Sequence, residues 1–231
     1  MNFSVSETIE FDLHIHTSRY SGCSNIDSLQ VIQRARAVGL NGIALTEHGI
    51  RWPDREIEAL VARSGVKDFL VIPGEEAACY SSRGKFQGEF LVFGYPKSLG
   101  SSKSIDQVIE LVHEVGGVIL AAHPFKRQDN GDGFYGCGDA VYTLNIDGLE
   151  IEHPSYDSES RNLAKKAMES RSIAGIGNSD SHDLNSIGIC RTVFTRRVDN
   201  IRILCEEIRA RRVRAVNMKD SLIRERTHVS S

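Results

Sequence analysis

Short apolar runs punctuate this chain, and most of them end on a histidine or a carboxylate. They read FDLHIH (11–16), NGIALTEH (41–48), FLVIPGEE (69–76), EFLVFGY (89–95), GVILAAHP (117–124), DGLEIEHP (147–154), SIAGIGNSDSH (172–182), GICRTVFT (188–195) and VRAVN (213–217). Runs of this length bounded by Gly, Pro or Asn predict buried, mostly parallel strands. Amphipathic helices are predicted between them. In 27–39 Leu29, Ile32, Ala35 and Val38 recur at helical spacing, Asp27 or Ser28 caps the start and Gly39 ends it. In 54–65 Ile57, Leu60 and Val61 face inward and Gly65 stops the helix. Ser104 opens 104–117, whose apolar stripe runs through Ile105, Val108, Ile109, Val112 and Val115. Further helices are predicted over 159–170 and 200–212. A glycine-rich stretch, 128–138, has the composition of a mobile loop, leaving open whether it closes as a lid, and the tail 224–231 reads as frayed.

Repeated βα units leave two architectures, a doubly wound sheet or a closed barrel. A doubly wound sheet concentrates its chemistry at one switch point, whereas here ligand-type residues end nearly every strand. No GxGxxG follows the first strand. The expected fold is a distorted (β/α)7 TIM-like barrel, one domain over 1–231 with a core at about 9–218, and with its site at the C-terminal strand ends.

The 231 residues suffice for one large α/β domain, and a net charge of -3 gives no global attraction to nucleic acid or anionic membrane. The five cysteines are scattered without a CxxC pair, and no secretory pattern or spanning apolar run is present. These features predict a soluble protein of the reducing cytoplasm, with no membrane association and no obligate protein partner.

The site chemistry begins at HxH. His14 and His16 are two apart, so on a strand both face one way, and Asp12 shares that face as a carboxylate to orient an imidazole. In TEH, His48 is a candidate ligand, and Glu47 is either an orienting partner or a salt-bridging acid. In GEE, Glu75 is the candidate to bridge two cations, while Glu76 is either solvated or part of the site. Pro124 fixes His123 at the rim, with Lys126 and Arg127 just beyond, in reach of a phosphate or merely solvated. Asp180 and His182 repeat the spacing of two, supplying one oxygen and one nitrogen donor. Such mixed sets suit Zn, Mn or Fe better than Ca.

Taken in order, HxH, [DE]H, a Glu after a strand, AHP and SDxH resemble the PHP (polymerase and histidinol phosphatase) family from Asp12 to about His182. The resemblance implies a distorted barrel with two or three divalent ions and hydrolysis of phosphate esters through a metal-bridging hydroxide. It implies one metal held by His14, His16, Glu75 and Asp180, with Glu75 bridging to a second that His123 binds, and a third held by His48 and His182. His153 fits a position near the second metal, as ligand or general acid. Two departures stand out: the loop SRYSGCS offers Gly22 or Cys23 where relatives carry an aspartate, and Glu89 occupies a position usually held by histidine.

The implied reaction needs no organic cofactor. Arg19, Lys126 or Arg127 would neutralise phosphate charge, His153 or His182 would protonate the leaving oxygen, and Asp180 would serve both metal and chemistry. The substrate expected is a nucleotide, a short oligonucleotide end or a small phosphorylated metabolite. The alternatives are a histidinol-phosphatase-like phosphomonoesterase, a non-catalytic scaffold that has lost its metals, and an amidohydrolase. The last is disfavoured by the absence of a strand-end lysine.

Overall fold

A computed structural model describes residues 8–131 and 133–220, so the tail read as frayed lies outside the described residues. Strands and helices alternate as β1 (Ile9–Ile15), α1 (Ser28–Ala37), β2 (Gly42–Leu45), α2 (Asp54–Ser64), β3 (Leu70–Pro73), β4 (Glu75–Tyr80), β5 (Phe86–Phe93), α3 (Ile105–Glu114), β6 (Val118–Ala121), β7 (Gly148–Glu152), α4 (Ser158–Arg171), β8 (Ala174–Gly177), β9 (Cys190–Phe194), α5 (Ile201–Arg209) and β10 (Val213–Asn217). A short 3-10 turn over Gly138–Tyr142 precedes β7. Local signals act as anticipated at several ends. Asp27 accepts from the Leu29 and Gln30 N–H groups, Ser104 and Gln107 form a capping box, and Gly65 ends α2 in the left-handed region.

The strands form two five-stranded mixed sheets, ordered β10-β9-β1-β2-β3 and β4-β5-β6-β7-β8. Among the described residues no single ladder closes them into a barrel, which corrects the expectation of seven parallel strands in a ring. The reasons are local. Pro73 has no N–H to continue a ladder, and at Gly74 the run 69–76 breaks into β3 and β4. Five residues between Tyr80 and Phe86 are too few for a parallel crossover, so β5 returns antiparallel to β4. The sheets meet at two seams through single contacts: the parallel bridges His48–Glu76 and Ile15–Ser181, and the Thr192 hydroxyl, which both donates to and accepts from Gly177 backbone.

Between the sheets lies a core of Phe11, Leu13, Ile72, Leu91, Phe93, Leu120, Ile176 and Phe194, to which α5 adds Leu204 and Ile208. Helices α1 and α2 pack on the first sheet through Val31, Ile32, Ile57 and Leu60, and α3 and α4 on the second through Val108, Val112, Ala164 and Ala167. The two sheets thus bring the C-terminal ends of β1, β2, β6, β7 and β8 and the start of β4 to one place. Two residues of the glycine-rich stretch lie against this rim: Tyr135 N–H donates to Lys126 O, and a Cβ at Gly136 would meet Pro124 Cα at 2.5 Å. No helix among the described residues is long and apolar enough to cross a membrane.

Gly74 is where the chain passes between sheets, and a Cβ there would lie 2.6 Å from the Phe93 ring and 2.9 Å from Thr46 Cγ2. Gly74→Ala is expected to destabilise the fold by about 1–3 kcal/mol through overpacking. Urea denaturation reads this as a lowered midpoint, and an unchanged midpoint would contradict the seam geometry.

Candidate metal centre

The centre is assembled from side chains whose outer ends are tied down and whose inner ends converge. On β1, His14 Nδ1 lies 3.1 Å from Glu150 Oε1, so its proton is assigned there and Nε2 keeps a lone pair. Ser21 Oγ donates to Glu47 Oε2 at 2.5 Å and lies 3.2 Å from His16 Nδ1, which assigns the His16 proton to Nδ1 as well. Two lone-pair nitrogens, His14 Nε2 and His16 Nε2, then face each other 3.0 Å apart, both fully buried. Around them stand Glu76, 3.2 Å from His14 and 3.4 Å from His16, and Asp180, 3.4 Å from each.

On the second sheet, His123 Nε2 is 3.1 Å from Glu76 Oε1 and 3.6 Å from Glu89 Oε2. His48 Nδ1 is 2.8 Å from Glu76 Oε2, an ion pair whose alignment falls short of a hydrogen bond. His182 Nδ1 donates to Asp180 O at 2.9 Å. Asp180 and His123 both hold left-handed backbone, φ 49° and 26°, strain that the surrounding bonds must maintain. Lys126 Nζ reaches Asp180 Oδ2 at 3.1 Å.

Several expectations are corrected. Glu75 does not bridge: its carboxylate turns away and accepts from the Leu99 and Gly100 N–H groups at 2.8–3.0 Å. The bend at Gly74 turns Glu76 inward instead, where it touches His14, His16, His48 and His123. Asp12 orients no imidazole. It accepts from Ser179 N–H and Gly188 N–H, anchoring the loop that carries Asp180, while burial pushes its pKa up to about 6. Among the described residues Glu47 forms no salt bridge, and it accepts from Thr17, Ser21 and Trp52, an orienting role. Arg19 pairs with Glu56, and Arg127 with Asp157 and Glu159, so neither is brought to the cluster. His153 Nδ1 accepts from Ser155 N–H, which assigns its proton to Nε2, 3.3 Å from Asp180 Oδ2; this makes it a donor, where a ligand would need a lone pair. Glu89 starts the apolar run 89–95 yet stands inside β5, which begins at Phe86, and lies 3.6 Å from His123 Nε2.

Glu150 was not anticipated. It sits at the middle of an apolar strand, fully buried, binding His14, Asn178 Nδ2 and the His123 N–H. An acid inside the run GLEIE is itself the signal, since a buried carboxylate needs partners.

Without cations the cluster holds itself together with protons. Burial works to lower the pKa of His14, but Glu76, Asp180 and Glu150 outweigh it and hold the imidazole well above the usual range. Burial likewise works to raise Glu76, and His14, His123 and His48 hold it well below. The groupings His14–Glu76–His123, His14–His16–Asp180, His48–Glu76–Glu89 and His16–His48–His182 each place donor atoms within 4.8 Å of one another. Among the described residues, buried Glu76 Oε2 and His123 Nδ1 have no hydrogen-bond partner. Facing nitrogen lone pairs, anionic oxygens and unsatisfied buried atoms in one spot fit divalent cations.

A family model described as PHP-associated matches residues 158–213. The PolC-type DNA polymerase III of Clostridium perfringens is 28% identical over 113 residues, 46% of this chain and 8% of the polymerase. An uncharacterized protein of Methanocaldococcus jannaschii is 30% identical over 150 residues, 61% of this chain and 79% of that one. The chain belongs to the PHP family. Its fold is similar to a two-domain protein of Bacteroides vulgatus containing a predicted PHP-like metal-dependent phosphoesterase, with a TM-score of 0.65 and 18% identity over 91% of this chain and 65% of that one. That likeness is one of fold; the donors described above are read from this chain's own residues.

Contact with Glu76, against the opposing effect of burial, raises the pKa of His48 from 6.5 to about 9. In metal-free protein its contribution to stability is full below pH 6.5 and lost as pH rises through about 9. An NMR titration of metal-free protein is expected to place the His48 midpoint near 9, and Glu76→Gln to bring it down towards 6.5. Equal midpoints in the two proteins would contradict the pairing.

Proposed function

We propose that this PHP protein is a metal-dependent phosphoesterase acting on a small phosphorylated substrate: a nucleotide, the end of a short oligonucleotide, or a phosphorylated metabolite. The observation that carries the reading is the convergence of five imidazoles with Glu76, Glu89 and Asp180 beside a partly exposed lysine, Lys126. His14, His16, Glu76 and Asp180 would hold one cation, and His123, Glu76 and Glu89 a second, with Mn, Fe or Zn suited to the mixed donors. When bound, such cations supply the Lewis acidity that activates water and neutralises phosphate charge.

The chain's own groups supply the rest. Glu150 and the Ser21–Glu47 pair fix the tautomers of His14 and His16, so the donors are oriented before any ligand arrives. Lys126 is 30% exposed and 3.1 Å from Asp180, so it can turn its ammonium to a phosphate oxygen entering from solvent. His153 presents Nε2–H to the same side, its other nitrogen fixed by Ser155, and serves as hydrogen-bond donor to the leaving oxygen. Five unpaired thiols and a net charge of -3 are compatible with a reducing cytoplasm and a small substrate drawn by local charge.

Hydrolysis of p-nitrophenyl phosphate and bis-p-nitrophenyl phosphate with added manganese tests this. Activity that chelator abolishes, and a roughly 10–100-fold loss of kcat/KM in Lys126→Ala from removal of a charge-assisted contact, are expected. The preferred ester separates phosphatase from diesterase. Folded protein that hydrolyses neither compound, nor small nucleotides, would contradict this reading, and if it also binds no metal the scaffold would replace it.

A further inference from the structure

Two exposed aromatic side chains, Tyr80 and Phe86, stand at the outer end of the β4–β5 hairpin. Along β4 the side chains alternate: Ala77 and Cys79 enter the core, whereas Glu76 faces the metal centre, Ala78 is half-buried and Tyr80 is 37% exposed. Cross-strand partners share a face, and Ala78 opposes Glu89 while Tyr80 opposes Phe86. The second pairing depends on a bulge. The register shifts between Cys79 and Tyr80, where Gly88 holds φ 123° and Gln87 accepts from the Ile105 N–H. Without the extra residue Gln87 would oppose Tyr80, and Phe86 would fall on the other face.

The bulge thus carries two rings, with centroids 5.4 Å apart, onto the face that holds Glu76 and Glu89. At about 3.3 Å per residue they stand roughly 7 Å beyond the Ala78–Glu89 pair and roughly 13 Å beyond Glu76. The turn joining them, 81–85, adds Arg83 and Lys85, both exposed and without an acid partner among the described residues. The hairpin is held in place. Tyr80 N–H donates to Lys103 O, and a Cβ at Gly88 would meet Cys137 Cβ at 2.6 Å.

We infer that this hairpin is a strand-binding arm of the metal centre. It takes a single-stranded oligonucleotide whose end lies at the cations, stacks bases behind that end on Tyr80 and Phe86, and meets the following phosphates with Arg83 and Lys85. Aromatic faces accept any base and cations follow the backbone, so the recognition is tolerant of sequence. A phosphorylated metabolite without a ring gains nothing from Tyr80 and Phe86, and a mononucleotide held at the cations leaves Arg83 and Lys85 unmet. The acids that share this face on β4 and β5 are Glu76 and Glu89, whose charge bound cations neutralise. The inference rests on the proposed phosphoesterase reading and narrows its substrate to one class.

The test is fluorescence anisotropy of manganese-loaded protein with a labelled hexathymidylate carrying hydrolysis-resistant phosphorothioate linkages, beside an abasic strand of equal length and charge. Wild type is expected to bind the base-bearing strand at least about 10-fold more tightly than the abasic one. Tyr80→Thr with Phe86→Thr should erase that difference, and Tyr80→Phe with Phe86→Tyr should keep it. Arg83→Ala with Lys85→Ala should lower the slope of log affinity against log salt by about 1.4. Thermal melts check that each variant is folded. Equal affinity of wild type for the two strands, or a preference that survives the double threonine variant, overturns the inference and leaves the phosphoesterase reading standing. Base-dependent binding in protein that hydrolyses no phosphate ester overturns that reading alone.

Discussion

The contact on which this molecule turns is that between His14 Nε2 and His16 Nε2, 3.0 Å apart and out of reach of water. Their outer nitrogens face Glu150 and Ser21, so their inner nitrogens present lone pairs to each other. Such a pair is repulsive unless positive charge lies between them, and Glu76 and Asp180 complete the demand for it. Much of the surrounding structure serves this arrangement. Glu47 is committed to Ser21, Asp12 to the loop holding Asp180, and Asn178 to Glu150. Even the strained backbone at His123 and Asp180 lies at this centre.

How much of this was legible in the sequence follows from physical range. Strand ends were, because apolar runs and their punctuation are local, and HxH and SDSH have a spacing that alternation alone places on one face. What failed depended on geometry between elements. The choice between Glu75 and Glu76 turns on one bend at Gly74, whose direction is set by Phe93 and Thr46 packing against it. Arg19 and Arg127 looked free because their acids, Glu56 and Glu159, arrive on α2 and α4. The division into two sheets was hidden because Pro73 ends one ladder and a short hairpin reverses the next.

The fold and the site rest on different observations. The Bacteroides protein, 18% identical, shares the fold, while the convergence of donors is read from this chain's own residues. Glu89 inside β5, Lys126 against Asp180 and Cys23 beside His48 lie around this centre. In the proposed function they would shape which cations sit where and how a phosphate is met, while the buried His14–His16 pair would be the centre of cation binding.

The most direct test of this account compares bound metal in Glu76→Gln and Glu75→Gln, neighbours that differ only in which way the chain turns them. Elemental analysis after dialysis against manganese or zinc is predicted to give at least about two ions per chain for wild type and Glu75→Gln, with a clear loss in Glu76→Gln. Full metal content in Glu76→Gln, with loss in Glu75→Gln, would contradict the centre described here.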